Sequence, residues 1–246
     1  MRHPFFSSGP CVFAHRGGAA LAPENTLAAF EHAIALGTDG VELDVRPSRD
    51  GRVVVIHDST LDRTTTLHGP VNRCTAAELS RAHVPELSEV LHLCRDLRVI
   101  VEIKVNDAAF GRQVVGELRK ANAVERSCVG GFRRAVLRAV RQEEPALATS
   151  GAREEVRLAL YRTWLGWPVA SPAYDGYQIP EFSGRTRVVS PRFIADAHRA
   201  GLGVQVWTVN DEADARRLLA WGVDALITDR PDLMVPIVRE IRAASN

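Results

Sequence analysis

The stretch "VELDVRPSRDGRVVVIHDSTLDRTT", residues 41 to 65, places ionisable side chains in two runs that otherwise have the composition of buried strands. Glu42 and Asp44 lie two positions apart in the first run, and the second run ends on His57 and Asp58. Because alternate residues of a strand project to the same side, the two carboxylates share one face. Charge on such a face indicates either a functional site or a network of ion pairs that neutralises it.

Apolar runs of this kind recur eight times and alternate with longer segments that have apolar residues three and four apart, the period of a helix. The candidate strands are residues 11–15, 40–45, 97–104, 127–132, 146–151, 176–180, 204–209 and 224–229. The clearest helical segments are residues 26–37, 110–123, 132–145, 190–203 and 211–222. Strands that alternate with helices predict parallel pairing, and eight such units favour an α/β fold of the TIM (β/α)8 barrel type over an open sheet.

Two parts of the chain fit this scheme less simply. Residues 52–90 contain an extra strand-like run and a turn-rich segment between the second and third strands, and we expect them to form a small insertion over the C-terminal rim of the barrel. The segment after residue 175 could hold one strand or two. We expect residues 1–246 to form a single catalytic barrel.

Composition narrows the class of protein. The 246 residues are 46% hydrophobic, and 31 basic and 30 acidic side chains leave a net charge of +1, which gives no reason to expect nucleic acid or a lipid surface as a partner. The four cysteines lack metal-binding spacing, and neither a secretory signal nor a membrane-spanning run is visible. We therefore expect free thiols, a cytoplasmic location and no stable membrane insertion. The oligomeric state stays open.

Acidic side chains gather where the predicted strands end. Glu42 and Asp44 lie near the end of the second strand and Glu102 near the end of the third, and chemistry in such barrels lies at the C-terminal ends of the strands. Buried carboxylates that repel one another require a counter-charge. A hard divalent cation, Mg²⁺ or Ca²⁺ with Mn²⁺ possible, would supply it. The alternative is a structural network with Arg46, Arg16 or Lys104.

Basic side chains flank the same cluster. Arg16 follows the first strand and Lys104 ends the third, and together they offer a planar fork and a point charge to a phosphate group. His15 ends the first strand, and His57 arrives from the insertion. Imidazoles in these positions could transfer protons in either direction near neutral pH.

The order and spacing of these residues resemble the glycerophosphodiester phosphodiesterase family over nearly the whole chain. The resemblance rests on "AHRGGAALAPENTLAAF" (14–30), "VELDV", "DGRVVVIHD" and "LDRTT" (within 41–65), "VEIK" (101–104), "VWTVND" (206–211) and "GVDALITDRPD" (222–232). It differs at Gly130 and Gly131, where many relatives have a serine before the phenylalanine, and it is weak over residues 160–190.

The resemblance implies a metal-dependent hydrolase that converts a small glycerophosphodiester to sn-glycerol 3-phosphate and an alcohol. By the same match Glu42, Asp44 and Glu102 hold the metal, His15 and His57 are the acid and base, and Arg16 and Lys104 bind phosphate. The nucleophile stays open between water and the substrate's neighbouring hydroxyl. The alternative activity is lysophospholipase D-like or phosphoinositide phospholipase-like, although no basic amphipathic helix for membrane docking is visible. A barrel that only binds its ligand is a third hypothesis.

Two further residues allow more than one interpretation. Glu24 lies in the "PENT" segment, which reads as a helix start capped by Asn25 or Thr26, and Glu24 could also orient Arg16. Trp207, near the end of the seventh strand, is either a core residue or an apolar wall for the substrate's glycerol backbone. For Asp229, at the eighth strand end, a cap or an ion pair is the first expectation.

Overall fold

The structure, a computed structural model, describes residues 2–7, 9–167 and 172–244. Within them the strands are β1 Cys11–His15, β2 Gly40–Pro47, β3 Val53–Val55, β4 Arg98–Ile103, β5 Ser127–Gly131, β6 Ala148–Thr149, β7 Gly176–Pro180, β8 Phe182–Ser183, β9 Thr186–Arg187, β10 Gly203–Trp207 and β11 Ala225–Thr228. The helices are α1 Leu27–Leu36, α2 Ala76–Ser80, α3 Leu87–Leu93, α4 Ala108–Lys120, α5 Arg134–Glu143, α6 Arg153–Leu165, α7 Pro191–Arg199, α8 Glu212–Ala220 and α9 Pro231–Ala244. Short 3-10 helices span Pro4–Phe6 and Val71–Arg73.

Eight of these strands form a parallel ring. The order is β6-β5-β4-β2-β1-β11-β10-β7, and a parallel bridge between Ser150 and Gly176 joins the two ends. Helices follow the strands and cover the outside of the ring, which confirms the predicted (β/α)8 barrel. All eight candidate strands of the sequence lie in this ring.

The alternation of side chains along the strands separates two environments. Val41, Leu43 and Val45 of β2 are fully buried in a cluster that also contains residues of α1, α3 and α4. Phe13 and Ile100 belong to a different cluster, built from the inward-facing residues of the barrel. Glu42 and Asp44, between the outward valines and leucine of β2, therefore face the barrel interior.

The floor of the barrel is closed by the N-terminal 3-10 helix. Phe6 is buried beneath the strands, and its ring occupies the space that side chains at Gly176 and Gly203 would need, since a Cβ at these positions would lie 2.6 and 2.4 Å from it. The two glycines therefore permit the phenylalanine to enter. Access to the interior is left at the opposite rim, where the strands end.

Helix α1 illustrates how local sequence fixes an element next to the site. Thr26 is its N-cap and accepts a hydrogen bond from the Ala29 amide, and the helix ends at Gly37 with a φ of 74°. Asn25 does not cap the helix, because its side-chain amide donates to Asp44 Oδ2 at 2.9 Å. The loop before α1 is thereby tied to β2.

The segment between β2 and α3 returns to the sheet before it builds a small core. Strand β3 pairs antiparallel with β2, so that Val55 lies opposite Val45. Beyond it, apolar side chains pack with one another: Val54, Ile56, Leu61, Val71, Ala76, Leu79 and Val84. Helix α3 begins at Leu87, inside the range 52–90 expected for the insertion, and packs in the outer cluster of the barrel. The extent of the insertion as a unit stays a prediction.

The segment after residue 175 holds one barrel strand and a separate hairpin. Strand β7 pairs with β10 in the ring, whereas β8 and β9 pair only with each other among the described residues. The hairpin lies between β7 and α7, and α7 begins at Pro191, after the N-cap Ser190, whose side chain accepts from the Phe193 amide. The hairpin forms one wall beside the functional site.

Candidate active site

Three carboxylates converge at the C-terminal rim through the register of neighbouring strands. Glu42 lies opposite His15 across β2 and β1, and Asp44 lies opposite Glu102 across β2 and β4. One oxygen from each of Glu42, Asp44 and Glu102 lies within 4.8 Å of the other two. Glu42 and Asp44 are 4% and 1% exposed, so the cluster is largely removed from solvent.

Burial and neighbouring charges shift the pKa values of the two carboxylates of β2 in opposite directions. Burial raises the pKa of Glu42 to about 8, and the charges of Asp44 and Glu102 add to this effect. Burial also acts to raise the pKa of Asp44, but the charges of Lys104 and Arg16 and a hydrogen bond from Asn25 outweigh it, so that the pKa of Asp44 is lowered. The cluster therefore carries an acidic group that is costly to ionise without a further positive charge.

These residues fit a hard divalent cation. Asp44 Oδ1 is buried with no hydrogen bond of proper geometry, although Lys104 Nζ lies 2.8 Å away. Carboxylate oxygens are the donors that Mg²⁺ and Ca²⁺ prefer, and a cation among Glu42, Asp44 and Glu102 would offset the repulsion between them.

Arg16 and Lys104 lie beside the carboxylates, as expected. Arg16 Nε is 3.2 Å from Asp44 Oδ2, and its backbone amide donates to Glu42 Oε2 at 3.2 Å. Lys104 Nζ is 2.5 Å from Glu102 Oε1. Ion pairs and a set of oxygen donors suited to a cation thus coexist here. Arg46 takes a different partner from the one considered in the sequence, because its Nε donates to the backbone oxygen of His57 at 2.8 Å.

Each histidine of the site is held by a carboxylate at its Nδ1 atom. His15 Nδ1 lies 2.6 Å from Asp229 Oδ1, and His57 Nδ1 lies 2.6 Å from Asp58 Oδ1. His15 Nε2 lies 3.8 Å from Glu42 Oε2, and both rings line one pocket together with the three carboxylates. Burial lowers the pKa of His15, but the hydrogen bond with Asp229 and the charge of Glu42 outweigh it, so that this pKa is raised.

Behind the histidines a chain of ion pairs joins the two loops. Glu24 accepts from Arg16 at 3.0 Å and from Arg63 at 2.7 Å, and Arg63 Nε donates to Asp58 Oδ2 at 2.6 Å. The sequence named Glu24 but assigned no role to Arg63 or Asp58. Asp58 and Arg63 lie in the "HD" and "LDRTT" segments. The ion pair between Arg63 and Glu24 depends on how the inserted segment folds back.

Trp207 combines the two environments considered for it. Its side chain is partly buried and packs against the inner cluster of the barrel, and it also lines the catalytic pocket. A second cavity of about 500 Å³ adjoins this pocket and shares Glu102, Phe132, Gln178 and Trp207 with it. The outer walls of this cavity come from α6 and the β8–β9 hairpin. Phe132 and Gln178 were not singled out by the sequence.

Comparisons with known proteins agree with this geometry. Residues 15–233 match the model of the glycerophosphoryl diester phosphodiesterase family. The chain belongs to this family. The match begins at His15 and spans the acidic cluster, both histidines and Asp229, and the activity is accordingly that of a glycerophosphodiester phosphodiesterase.

Individual relatives cover almost the whole chain. A glycerophosphodiester phosphodiesterase of Caldanaerobacter subterraneus subsp. tengcongensis is 31% identical over 93% of this chain and 98% of its own length. The crystal structure of a glycerophosphodiester phosphodiesterase from Agrobacterium tumefaciens has a TM-score of 0.74 and 29% identity, covering 92% of this chain and 98% of that one. A phosphodiesterase of Oleispira antarctica, solved in complex with the product sn-glycerol-3-phosphate, has the same fold, with a TM-score of 0.74 and 24% identity over 96% of this chain and 99% of that one.

Proposed function

We propose that this enzyme hydrolyses small glycerophosphodiesters, such as glycerophosphocholine or glycerophosphoethanolamine, to sn-glycerol 3-phosphate and an alcohol. Glu42, Asp44 and Glu102 hold one divalent cation, which is Mg²⁺, Ca²⁺ or Mn²⁺. The observation that carries the proposal is the placement of two carboxylate-bound histidines around one acidic cluster in a single pocket. The relative solved with sn-glycerol-3-phosphate supports the choice of product.

Arg16 and Lys104 bind the phosphate group. The guanidinium lies against Asp44 Oδ2, the ammonium group lies against Asp44 Oδ1 and Glu102 Oε1, and both residues line the pocket. They stabilise the negative charge that develops on the phosphoryl oxygens, usually the largest catalytic contribution in such sites. The chemistry that a bound cation supplies is polarisation of the same oxygens.

His15 and His57 move the protons. Because Asp229 and Asp58 occupy the Nδ1 atoms, the Nε2 atoms are left to face the substrate. One Nε2 takes the proton of the attacking oxygen while the phosphorus–oxygen bond to the alcohol breaks, and the other Nε2 gives a proton to the departing oxygen. The attacking oxygen belongs to water or to the neighbouring glycerol hydroxyl, and in the second route a cyclic phosphate forms before water opens it.

The test is hydrolysis of glycerophosphocholine by His15→Ala and His57→Ala, with His32→Ala on the exposed face of α1 as the matched control. We expect each active-site variant to lose roughly a hundredfold or more in kcat, and the control to lose nothing. A loss of only a few-fold in either variant would end the assignment of that histidine. Phosphorus NMR separates direct attack from a cyclic phosphate.

The acid can be told from the base with a substrate whose alcohol leaves easily. A diester with a p-nitrophenol leaving group needs little protonation, so the variant that lacks the acid should recover most of its activity on it. The variant that lacks the base should not recover. Chelation followed by addition of single metals identifies the cation.

A lipid phosphodiester is the second candidate substrate, and one observation favours it. The cavity of about 500 Å³ beside the catalytic pocket has apolar walls that include Val156, Leu160 and Ile179, and could take an acyl chain. Comparison of lysophosphatidylcholine and phosphoinositide head groups with glycerophosphocholine decides between the two.

The cysteines support a cytoplasmic location. All four, which lie in the described part of the chain, are free thiols, as expected for a reducing compartment. No helix among the described residues is both long and apolar enough to cross a bilayer.

A further inference from the structure

Helix α6 concentrates the exposed apolar side chains of the molecule. Eight large hydrophobic side chains are exposed in the described part of the chain, and five of them lie on α6 or directly after it. They are Leu158, Tyr161, Trp164, Leu165 and Trp167, each between 49% and 62% exposed. Single exposed apolar residues need no explanation, but a group on one helix marks an interaction surface.

This surface, Leu158 to Trp167, belongs to a helix that is firmly placed. Ala159 and Leu160 of α6 are buried and pack in the cluster that contains Tyr177 and Ile179. The helix ends at Gly166, whose φ is 75° and whose amide bonds to the last turn. The outward side chains are therefore held in place by the packing of the opposite face.

Two arginines in the first turns of α6 make no ion pair. Arg153 and Arg157 are exposed, and within residues 2–7, 9–167 and 172–244 neither side chain makes an ion pair or a hydrogen bond. Nearby Glu155 is occupied by Arg141 and Arg134. Glu154, between the two arginines, is exposed as well, so the first turns carry two positive charges and one negative charge ahead of tryptophan, tyrosine and leucine.

We propose that this face of α6 binds an anionic lipid surface. Tryptophan and tyrosine are enriched where protein meets the boundary of a bilayer, and arginine adds attraction to anionic head groups. A second copy of the chain is the alternative occupant, and the oligomeric state of the parent in solution tests it.

The proposal is separate from the activity of the site. Leu158, Leu165 and Trp167 are absent from the linings of the catalytic pocket and of the adjoining cavity, whereas Arg153, Arg157, Tyr161 and Trp164 line that cavity. Leu158, Leu165 and Trp167 can therefore be changed without altering the lining of the pocket or of the cavity. The sequence did not single out this helix, because apolar residues occupy both its buried and its exposed sides.

The test is co-sedimentation of the full chain with vesicles of phosphatidylcholine, with and without phosphatidylglycerol. The triple variant Leu158→Ser, Leu165→Ser, Trp167→Ser is compared with Ile34→Ser, an exposed apolar residue on α1. We expect the triple variant to bind at least about tenfold more weakly and Ile34→Ser to bind as the parent does. The double variant Arg153→Gln, Arg157→Gln should bind vesicles roughly fivefold more weakly per arginine removed, and only when phosphatidylglycerol is present.

Hydrolysis of soluble glycerophosphocholine and circular dichroism report that the triple variant is folded. The proposal is overturned if the parent binds neither kind of vesicle, or if the triple variant binds as well as the parent. It is also overturned if the parent is a dimer in solution that the triple variant converts to a monomer, because the surface then belongs to a second copy.

Discussion

Arg63 and Glu24 form a bidentate ion pair, with guanidinium nitrogens 2.7 and 2.9 Å from the two carboxylate oxygens. The pair joins the loop after β1 to the inserted segment that carries His57. Glu24 also binds Arg16, and Arg63 also binds Asp58, the partner of His57, so Arg16 and His57 share one support.

Replacement of Arg63 should therefore loosen His57 without removing any group that touches the substrate. We expect Arg63→Met to lower kcat roughly tenfold to a hundredfold, because small displacements of a proton-transfer group are costly. Arg63→Lys should restore part of this, since lysine keeps the charge but not the two-pronged geometry. Arg73→Met, at an exposed position of the same segment, is the control. An unchanged kcat in Arg63→Met would show that the ion pair does not position the histidine.

Asp229→Asn should change the titration of His15. The pKa of His15 is raised by its hydrogen bond with Asp229 and by the charge of Glu42, against the opposing effect of burial. Loss of the Asp229 charge should lower that pKa, so the limb of the pH–rate profile that reports His15 moves to lower pH. The tautomer is no longer fixed, and we expect kcat to fall roughly a hundredfold or more.

NMR titration of the imidazole protons measures this shift directly. Asp62→Asn is the matched control, because Asp62 contacts His68 at 3.1 Å on the exposed surface and neither residue lines the pocket. A pKa of His15 that stays where it was would contradict the prediction.

Glu42→Gln should separate stability from metal binding. In the chelated protein the pKa of Glu42 is raised from 4.5 to about 8. Its proton stabilises the folded state fully below the unfolded pKa, and this contribution is lost as pH rises through the folded value. The glutamine does not ionise, so between about pH 4.5 and about 8 the free energy of unfolding should fall less in the chelated variant than in the chelated parent.

Addition of metal should stabilise the parent more than the Glu42→Gln variant. A cation stabilises the parent by binding only the folded state, whereas the variant lacks one ligand and should gain little. Thermal unfolding at several pH values, with and without metal, measures both effects, and Glu125→Gln at an exposed position is the control. Equal pH dependence in the two chelated proteins would contradict the role of Glu42 burial.

Gly130→Ala should alter the passage between the two cavities. A Cβ at Gly130 would lie 2.8 Å from Gln178 Oε1, so the amide must move and its 3.0 Å hydrogen bond to Gln205 is disturbed. Because Gln178 lines both the catalytic pocket and the adjoining cavity, we expect KM to change more for diesters with a large alcohol than for those with a small one.

The control for this variant is Gly116→Ala inside α4, where a Cβ meets nothing within 4 Å. It should stabilise the fold by about 0.5–1 kcal/mol through the higher helix propensity of alanine. A uniform change in KM for small and large alcohols would contradict the role of Gln178 at the passage.

Sequence periodicity sufficed for the barrel because each strand repeats the same pattern and a parallel ring fixes where strand ends meet. The convergence of Glu42, Asp44 and Glu102 followed from parity and strand order alone. The partners of the histidines did not follow, because Asp229 reaches His15 across the β1–β11 strand pair, and the contact of His57 with the adjacent Asp58 depends on side-chain orientation that strand periodicity does not determine. The roles of the site residues stay predictions that the experiments above address.

Surface properties were the least accessible to the sequence. The exposed face of α6 depends on which side of the helix packs against the protein, and a mixed apolar pattern does not decide this. Likewise, the β8–β9 hairpin that walls the second cavity depends on contacts between residues 182 and 187, a length too short for a clear alternation.

The position of Phe6 beneath the strands has a kinetic consequence. Because Phe6 packs against Gly176 and Gly203, the interior of the barrel is closed at this end. The diester enters, both products leave and protons exchange with bulk water through the opposite end. The alcohol and the phosphomonoester must leave through the same opening, so we expect them to leave in a fixed order. Product inhibition patterns should show which of the two leaves last.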